Sequence, residues 1–542
     1  MHLDSDTISP NTAIKTDICI VGAGVAGLII ANELKDAKRR ITILESGDFA
    51  KNERAQHLNQ GENVGYPYYP LDLARYRGVG GSSLRWNVDL GDKRGVRLRP
   101  MDAIDFEKRE GVPYSGWPFS KTELDPYYAR SQPYFGLTDQ NYTGSHWQTE
   151  GDHEILPLES ADLETTIFQF GDADLITTKH QSLLKKCQNL QIITNATVYE
   201  IETDPSGGFV TQLLVRNRAN GVFRVLAEKY ILATGGLEVP RLLLSSRHTQ
   251  AHGIGNQNDL VGRFFMEHLH YLSGMWIPSS EQIFSKTGLY TMHRSRGTDV
   301  LAYLKLSPDV LKREHLLNYC VSFWPRPSFE GDSTANIVTS RGYHAIRKIK
   351  SELQEKRLPQ SPGKRMGHII GDTALLLEHF LRRRPGKEIQ GTPVAFQLHQ
   401  MSEQAPNPAS RVTLSEERDC FGSFTAKLDW KISQSDIQTI RRAHEIIDRE
   451  FQNAGLGKLT HGDFKKSPPA GITGGLHHMG TTRMDEDPKS GVVDSDCKIH
   501  GVDNLYVASS SVFPTVGYAN PTLTIAALAI RLSDHLRKEN IE

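Results

Sequence analysis

Cysteine is scarce in this chain, and its five cysteines are scattered: Cys19, Cys187, Cys320, Cys420 and Cys497. They include no CxxC pair and are odd in number, so they predict neither a disulfide framework nor a structural zinc site. The polar N-terminal stretch lacks the apolar core of a signal peptide, and no run reaches the roughly 18 apolar residues of a membrane span. We therefore expect a soluble, cytoplasmic protein.

An excess of charge of either sign is also missing. The 63 Lys and Arg residues nearly cancel the 64 Asp and Glu residues, which gives no whole-chain reason to expect nucleic acid or another polyanion as partner. The 542 residues exceed what a single hydrophobic core usually organises. Two domains, or one large elaborated fold with room for a buried cofactor, are expected.

A dinucleotide-binding pattern begins at residue 17. Residues 17–21, Asp-Ile-Cys-Ile-Val, predict a short buried strand, and Gly22, Gly24 and Gly27 follow it in the GxGxxG spacing before a helical run. Such glycines permit a tight turn, close approach of a pyrophosphate and close packing of helix on strand. A second predicted strand ends in Glu45, where a carboxylate accepts hydrogen bonds from a ribose. The pattern predicts an adenine dinucleotide without separating FAD from NAD.

A second glycine cluster supplies further candidate cofactor contacts at Gly80, Gly81, Ser82 and Trp86. Its exposed N–H groups and hydroxyls suit a phosphate-bearing or ring-bearing ligand, although the composition alone also fits a flexible loop. The flanking Arg77, Arg85 and Trp86 favour an ordered segment.

Strand patterns return later in the chain and predict more of the same domain. Residues 189–200 and 209–215 are strand-like, and the buried run 230–233 ends in glycines ahead of a helix over 237–246, with Pro240 near its first turn. A further strand over 505–508 precedes small polar residues that suit the edge of a cofactor ring. The remaining predicted cofactor positions are Val198, Ala233, Ser509, Ser510, Pro521 and Thr522.

These patterns predict an α/β, Rossmann-like dinucleotide-binding domain whose strands return later in the chain, and a second, sheet-rich domain. The predicted boundaries are 14–99, 176–262 and 471–542 for the first domain, 100–175 for a connecting or lid segment, and 263–470 for the second domain. Within the latter, residues 341–390 contain twelve Lys or Arg against five Asp or Glu.

The basic segment 341–390 also carries apolar residues at helical spacing: Ile369, Ile370, Leu375, Leu376, Leu377, Phe380 and Leu381. It predicts an amphipathic helical insert. A solvated excursion packed on the domain is favoured over a lid or a membrane-surface contact.

Several motifs together resemble the glucose-methanol-choline (GMC) oxidoreductase family, in an order that runs nearly end to end. They comprise GxGxxG with Glu45, RGVGGSS from Arg77, SGWP from Ser115 with LDPYY from Leu124, ATGG from Ala233, LVGR from Leu260, PNPASRVT from Pro406, and the regions of His477 and Asn520. The resemblance implies a flavoenzyme that oxidises alcohols with FAD. It also implies an α/β, Rossmann-like FAD-binding domain built from discontinuous segments, and an α+β substrate domain with a large, mostly antiparallel sheet.

The family pattern H-x-x-G-T falls on His477, Gly480 and Thr481, and its second polar position falls on Asn520. The resemblance implies that His477 is the general base beside the flavin, with Asn520 as its partner, whereas His478 lies outside the pattern. Some relatives attach FAD covalently through a histidine just before the tryptophan of the second cluster. This chain has Arg85 there, which predicts non-covalent FAD.

An imidazole is chemically suited to accept the hydroxyl proton, because its pKa near 6.5 is easily tuned by burial. A fixed amide can orient the substrate oxygen without a charge of its own. His268 and His270 share a predicted strand face, but no ligand spacing accompanies them, so they are expected to line a core or pocket and no metal site is predicted. Gln397 and His399 are candidate substrate contacts. No GxSxG stretch supports a hydrolase.

The sequence therefore predicts oxidation of a CH–OH group in a sugar, polyol or sugar-like metabolite, with oxygen, a quinone or another acceptor reoxidising the flavin. An NAD(P)-linked dehydrogenase, a lyase on the same scaffold and a binding module docking through the basic insert stay open as alternatives. The acceptor, the substrate and the oligomeric state are not encoded in any pattern that we recognise.

Overall fold

A computed structural model describes residues 1–327, 340–354, 362–373, 392–460, 464, 468–469 and 471–539. The strands are β1 (His2–Asp4), β2 (Ala13–Lys15), β3 (Ile18–Val21), β4 (Ile41–Leu44), β5 (Gly61–Asn63), β6 (Val88–Asp89), β7 (Arg94–Leu98), β8 (Leu163–Asp172), β9 (Leu190–Thr194), β10 (Thr197–Thr203), β11 (Val210–Arg216), β12 (Val222–Leu226), β13 (Lys229–Leu232), β14 (Leu269–Pro278), β15 (His293–Ser295), β16 (Thr298–Leu306), β17 (Tyr319–Arg326), β18 (Ala395–Ser402), β19 (Arg411–Arg418), β20 (Phe424–Asp429), β21 (Gly457–Thr460), β22 (Ile472–Gly474) and β23 (Leu505–Val507).

The helices are α1 (Val25–Glu33), α2 (Glu53–His57), α3 (Leu71–Ala74), α4 (Lys121–Ser131), α5 (Gly144–Trp147), α6 (Leu175–Lys186), α7 (Gly235–Ser245), α8 (Gln282–Ser285), α9 (Pro308–Arg313), α10 (Arg341–Gln354), α11 (Pro362–Gly371), α12 (Gln434–Asn453) and α13 (Thr522–Lys538).

A six-stranded parallel sheet forms the centre of the nucleotide-binding half, in the order β1-β9-β4-β3-β13-β23. Strands β3, β4 and β23 are buried along their whole length, as expected when helices cover both faces of a parallel sheet. The strands come from widely separated stretches of the chain. The structure thus has the predicted α/β class, and its sheet is assembled from discontinuous segments of the chain, as predicted.

A large antiparallel sheet forms the second half, in the order β21-β14-β18-β17-β16-β8-β7-β6, with β15 on β16 and β22 on β14. Alternate residues along its strands face opposite sides. One face packs against α12, where Trp276 and Phe323 contact Phe451. The other face carries Tyr303 and meets the C-terminal loop at Tyr518.

The antiparallel sheet is wider than the predicted domain 263–470. Strands β6, β7 and β8 come from residues 88–172, and β22 comes from the predicted C-terminal segment. Likewise β1 joins the parallel sheet ahead of the predicted start at residue 14. The predicted boundaries therefore need this correction. The physical reason is that a strand pattern reveals an extended segment, whereas its hydrogen-bonding partner is fixed only by the fold.

Helix α7 begins earlier than predicted, so Pro240 is its sixth residue rather than part of its first turn. Proline has no N–H to donate to the carbonyl four residues back, which is that of Gly236. The Thr481 hydroxyl donates to this carbonyl at 2.6 Å. The helix is thereby tied to the loop that carries His477.

Helices α10 and α11 fall in the basic insert and confirm that its described part is helical. Asp372 joins them, because its carboxylate accepts from the Ser340 hydroxyl and the Gly342 N–H, both at 2.7 Å. Met366 and Ile370 of α11 are 53% and 67% exposed, so this apolar stripe is incompletely covered by the described residues. Leu375, Leu376, Leu377, Phe380 and Leu381 lie outside the described residues. Among the helices described, none has the length and apolar character to cross a membrane.

Candidate functional site

The first glycine turn is built so that only glycine fits at two of its positions. Gly22 has φ +104°, and a Cβ there would lie 2.7 Å from the carbonyl oxygen of Ala233. A Cβ on Gly27 would lie 2.1 Å from the carbonyl oxygen of Gly22. These contacts press α1 against the turn at the end of β3, which brings the N-terminal end of α1 to the edge of the parallel sheet.

Gly24 differs from its two neighbours in the motif, because its side is open. A Cβ there would meet only the Ala233 carbonyl oxygen, at 3.9 Å. The second glycine cluster lies directly on this turn: the Gly80 N–H donates to the Ala23 carbonyl at 2.8 Å, and a Cβ on Gly81 would come within 3.0 Å of Gly24 Cα. The two glycine clusters predicted from sequence thus form one cradle of bare backbone beside a helix N-terminus.

Glu45 closes the far side of this cradle. Its buried carboxylate accepts from the Ala23 N–H at 2.9 Å and the Gly47 N–H at 2.8 Å, which leaves each oxygen a second lone pair for a ribose hydroxyl. The Glu45 carbonyl accepts from the Ala196 N–H at 2.9 Å, so the segment leading to Val198 borders the same edge. Cradle and carboxylate together fit an adenine dinucleotide such as FAD.

The remaining cofactor candidates lie in three places. Ser82 is exposed, and its hydroxyl accepts from the Tyr76 N–H at 3.3 Å, while Trp86 packs against Phe135. Ser509 and Ser510 follow β23, and the Ser510 hydroxyl donates to the His478 carbonyl at 2.7 Å. Pro521 is the N-cap residue of α13, whose 17 residues begin at Thr522, so Asn520 lies next to the positive end of this helix.

His477 and Asn520 meet at this helix end. Their Nε2 and Nδ2 atoms are 3.2 Å apart, although 43 residues separate them in the chain. Arg97 donates through Nε to Asn520 Oδ1 at 2.9 Å, and an oxygen is the only amide atom that can accept there. This contact fixes the amide with its N–H groups toward His477, and one of them remains for a substrate oxygen.

The backbone of His477 is held by a buried carboxylate, that of Glu267. The His477 N–H lies 2.9 and 3.0 Å from its two oxygens, and the Gly475 N–H lies 3.0 Å from one of them. Leu476 between them has φ +63°, which turns both N–H groups to the same side. Burial raises the pKa of Glu267 to about 7.

His478 points into a different environment. Its ring centroid lies 6.0 Å from those of both Tyr68 and Phe265, and burial lowers its pKa to about 3. The neighbouring histidines therefore occupy separate surroundings, as expected for successive residues that point in different directions.

His268 is a functional candidate that the sequence patterns did not single out. Its Nδ1 lies 3.0 Å from His477 Nδ1, and the ring is 1% exposed. His270, two residues on, contacts His399 at 3.1 Å between ring nitrogens. In the sequence the only signal was that His268 and His270 share a predicted strand face. That signal does not reveal that His268 contacts His477. Over the described part of the chain, no cluster of His, Cys, Asp or Glu suits a metal ion.

The surroundings of His477 favour the neutral ring. Burial lowers its pKa well below the usual 6.5, and the nearby His268, Arg97 and His478 act in the same direction. A neutral imidazole has one ring nitrogen with a free lone pair, so His477 is ready to accept a proton at neutral pH.

We expect the rate of alcohol-driven flavin reduction to stay constant from alkaline pH down to about 6.5 and to fall only below it. Protonation removes the accepting lone pair, and a lowered pKa moves this loss to more acid pH than for an ordinary histidine. Arg97→Gln removes a positive charge that lowers the pKa of His477, so in this variant the rate should begin to fall at a higher pH. Stopped-flow reduction under anaerobic conditions measures both profiles. A wild-type limb centred at or above pH 6.5 would contradict the assignment.

The proteins that this chain is similar to are oxidoreductases. A family model described as FAD dependent oxidoreductase matches residues 17–254, and one described as GMC oxidoreductase matches residues 406–529. The 2-methyl-1,2-propanediol dehydrogenase of Mycolicibacterium austroafricanum is 22% identical over 97% of this chain and 96% of its own. The fructose dehydrogenase large subunit of Gluconobacter japonicus is 23% identical over 97% and 98%. A formate oxidase structure from Aspergillus oryzae superimposes with a TM-score of 0.54 at 15% identity, over 97% and 99%.

Proposed function

Since the chain belongs to the glucose-methanol-choline family of FAD-dependent oxidoreductases, which oxidise CH–OH groups, we propose that its substrate is a sugar, a polyol or a sugar-like metabolite. In this proposal His477 is the general base and Asn520 orients the substrate hydroxyl. The electron acceptor is oxygen, a quinone or another small oxidant.

The observation that carries this proposal is the 3.2 Å approach of His477 Nε2 to Asn520 Nδ2. A hydroxyl group placed against both atoms donates its proton to the histidine and accepts an N–H bond from the amide. As the proton leaves, negative charge grows on the substrate oxygen, and the fixed amide dipole and the nearby Arg97 cation stabilise it. Bound FAD supplies the acceptor for the hydride from the carbon that bears this oxygen.

The face of the antiparallel sheet nearest His477 supports a polyhydroxylated substrate. The His270 ring centroid lies 6.3 Å from that of His477, and His270 contacts His399, whose ring lies 4.8 Å from Trp324. Trp324 is 39% exposed. An exposed aromatic ring beside hydrogen-bonding side chains suits a sugar, which offers both an apolar face and hydroxyl groups.

Three further observations bear on the cofactor, on the compartment and on the substrate class. Arg85, which stands where some relatives attach FAD through histidine, is exposed and donates to the Leu73 carbonyl. This supports non-covalent FAD. The five cysteines are all free thiols, which supports the proposed cytoplasmic location. The names of the two curated relatives, a diol dehydrogenase and a fructose dehydrogenase subunit, support the substrate class.

The experiment that tests the substrate class is anaerobic reduction of the purified holoenzyme by a panel of sugars, polyols, simple aliphatic alcohols and aryl alcohols. We expect sugars or polyols to bleach the flavin fastest. In Trp324→Leu the KM for a reactive sugar should rise about threefold to tenfold, because a stacked ring contributes about 1 kcal/mol, while a small diol should react as before. Faster reduction by aryl alcohols than by every sugar and polyol would refute the substrate class.

A further inference from the structure

The ring of His268 is held between a carbonyl group and the proposed base. Its Nε2 lies 3.1 Å from the Val516 carbonyl oxygen, and its Nδ1 lies 3.0 Å from His477 Nδ1. A carbonyl oxygen can only accept, so Nε2 of His268 carries the hydrogen. Burial lowers the pKa of His268 to about 4, so the ring is neutral at neutral pH and its Nδ1 is an acceptor.

The same reasoning then determines the hydrogen of His477. Because His268 Nδ1 can only accept, His477 Nδ1 must donate to it. In a neutral ring this leaves Nε2 with its lone pair, to which Asn520 Nδ2 donates at 3.2 Å until a substrate hydroxyl takes its place. The chain of donors is consistent from Arg97 at one end to Val516 at the other, with each hydrogen assigned from its partner.

The two groups at one end of this chain, the His268 ring and the Val516 carbonyl, are both held by buried structure. His268 is fixed opposite the His477 loop by backbone bonds: Met266 and Met479 exchange N–H bonds of 3.0 and 3.1 Å, and the Gly475 N–H donates to the His268 carbonyl at 3.1 Å. Trp117 donates to the hydroxyl of Thr515, which in turn donates to the carbonyl of Asp105 and so fixes the loop that presents Val516. The ring of His268 therefore has little freedom to turn.

We propose that His268 is a positioning residue that holds His477 in the tautomer with hydrogen on Nδ1, so that its Nε2 lone pair faces the substrate hydroxyl. It also receives the Nδ1 hydrogen bond of the imidazolium that forms when His477 takes the proton. In the opposite tautomer, an Nε2–H group would face the N–H groups of Asn520 and the base would be blocked. This inference rests on the proposed role of His477.

Two variants separate this role from simple packing. In His268→Asn the new side chain can place an amide oxygen, which is an acceptor, near the position of Nδ1. In His268→Leu the new side chain has no acceptor. Both variants lose the bond to Val516. We expect His268→Asn to reduce the flavin within about threefold of wild type. His268→Leu should be about 10- to 100-fold slower in the reductive step, as is typical when a partner that fixes a histidine tautomer is lost. A packing role predicts the reverse order, because leucine fills the buried site better.

The tautomer itself is read by ¹⁵N NMR of the histidine-labelled holoenzyme, with His477 assigned by its loss in His477→Gln. We expect an Nδ1–H signal in wild type and His268→Asn and a mixture of tautomers in His268→Leu. An Nε2–H signal in wild type, or equal reduction rates in the two variants, would overturn the inference. If the signals behave as expected but His477→Gln keeps the full rate, the proposed base is wrong while the tautomer assignment stands.

Discussion

His477→Gln is expected to reduce the rate of flavin reduction by alcohol about 10³-fold, within the range of losses typical of a general base. Glutamine keeps a polar side chain of similar reach but cannot take up the hydroxyl proton at neutral pH. The backbone N–H bonds to Glu267 do not involve the side chain, so the loop should keep its position. FAD content and Tm should therefore stay near those of wild type, and the loss should lie in the reduction step measured by stopped flow.

The adjacent residue offers a matched control for His477→Gln. His478 shares the loop but packs beside Tyr68 and Phe265, so His478→Phe replaces one buried ring by another in an aromatic environment. We expect this variant to reduce the flavin within a few-fold of wild type. A rate for His477→Gln within tenfold of wild type, or an equal loss in both variants, would show that the base lies elsewhere.

Gly24→Ala is expected to leave the apoprotein folded and to weaken FAD binding about tenfold or more. The added methyl group would meet no protein atom closer than 3.9 Å, so it causes no clash within the chain. It instead fills space in the cradle at the N-terminal end of α1, where the backbone must approach a pyrophosphate. Overfilling a close contact typically costs about 1 to 3 kcal/mol, which corresponds to at least several-fold in Kd.

The measurement is titration of apoprotein with FAD, followed by flavin fluorescence, with Tm recorded in the absence of FAD. Gly363→Ala in helix α11 is the control, because a Cβ there meets no atom within 4 Å, so it too causes no clash, and the glycine lies outside the cradle. Gly27→Ala should instead lower the Tm of the apoprotein, since its Cβ would overlap the Gly22 carbonyl. Unchanged FAD affinity in Gly24→Ala would place the pyrophosphate elsewhere.

The cofactor half of the site was predictable because its information is local. A buried strand, three glycines and a carboxylate at a fixed distance describe one continuous unit, and the structure builds it as the turn after β3 with Glu45 beside it. Glycine is required where φ is positive or a Cβ would clash, and these are constraints of covalent geometry that the sequence carries directly. The helical nature of the described insert follows from periodicity in the same way.

The second glycine cluster marks where local information ends. Its composition predicted a cofactor contact, but only the fold brings Gly81 so close to Gly24 that a Cβ on Gly81 would lie 3.0 Å from Gly24 Cα. The width of the antiparallel sheet was missed for a similar reason, because residues 88–172 join this sheet through β8, whose partner β16 lies more than one hundred residues further along the chain.

By itself, the sequence determined the fold class, the dinucleotide cradle and the pairing of His477 with Asn520 as candidates, since each depends on residue type at a fixed spacing or on resemblance to a family. Only the tertiary structure decided which groups surround His477. Glu267 and His268 contact it from the residues just before β14. Arg97 of β7 holds its partner Asn520 from 423 residues away in the chain. Hydrogen-bond partners depend on separations of about 3 Å in space, and residue order does not encode such distances for segments that the fold brings together.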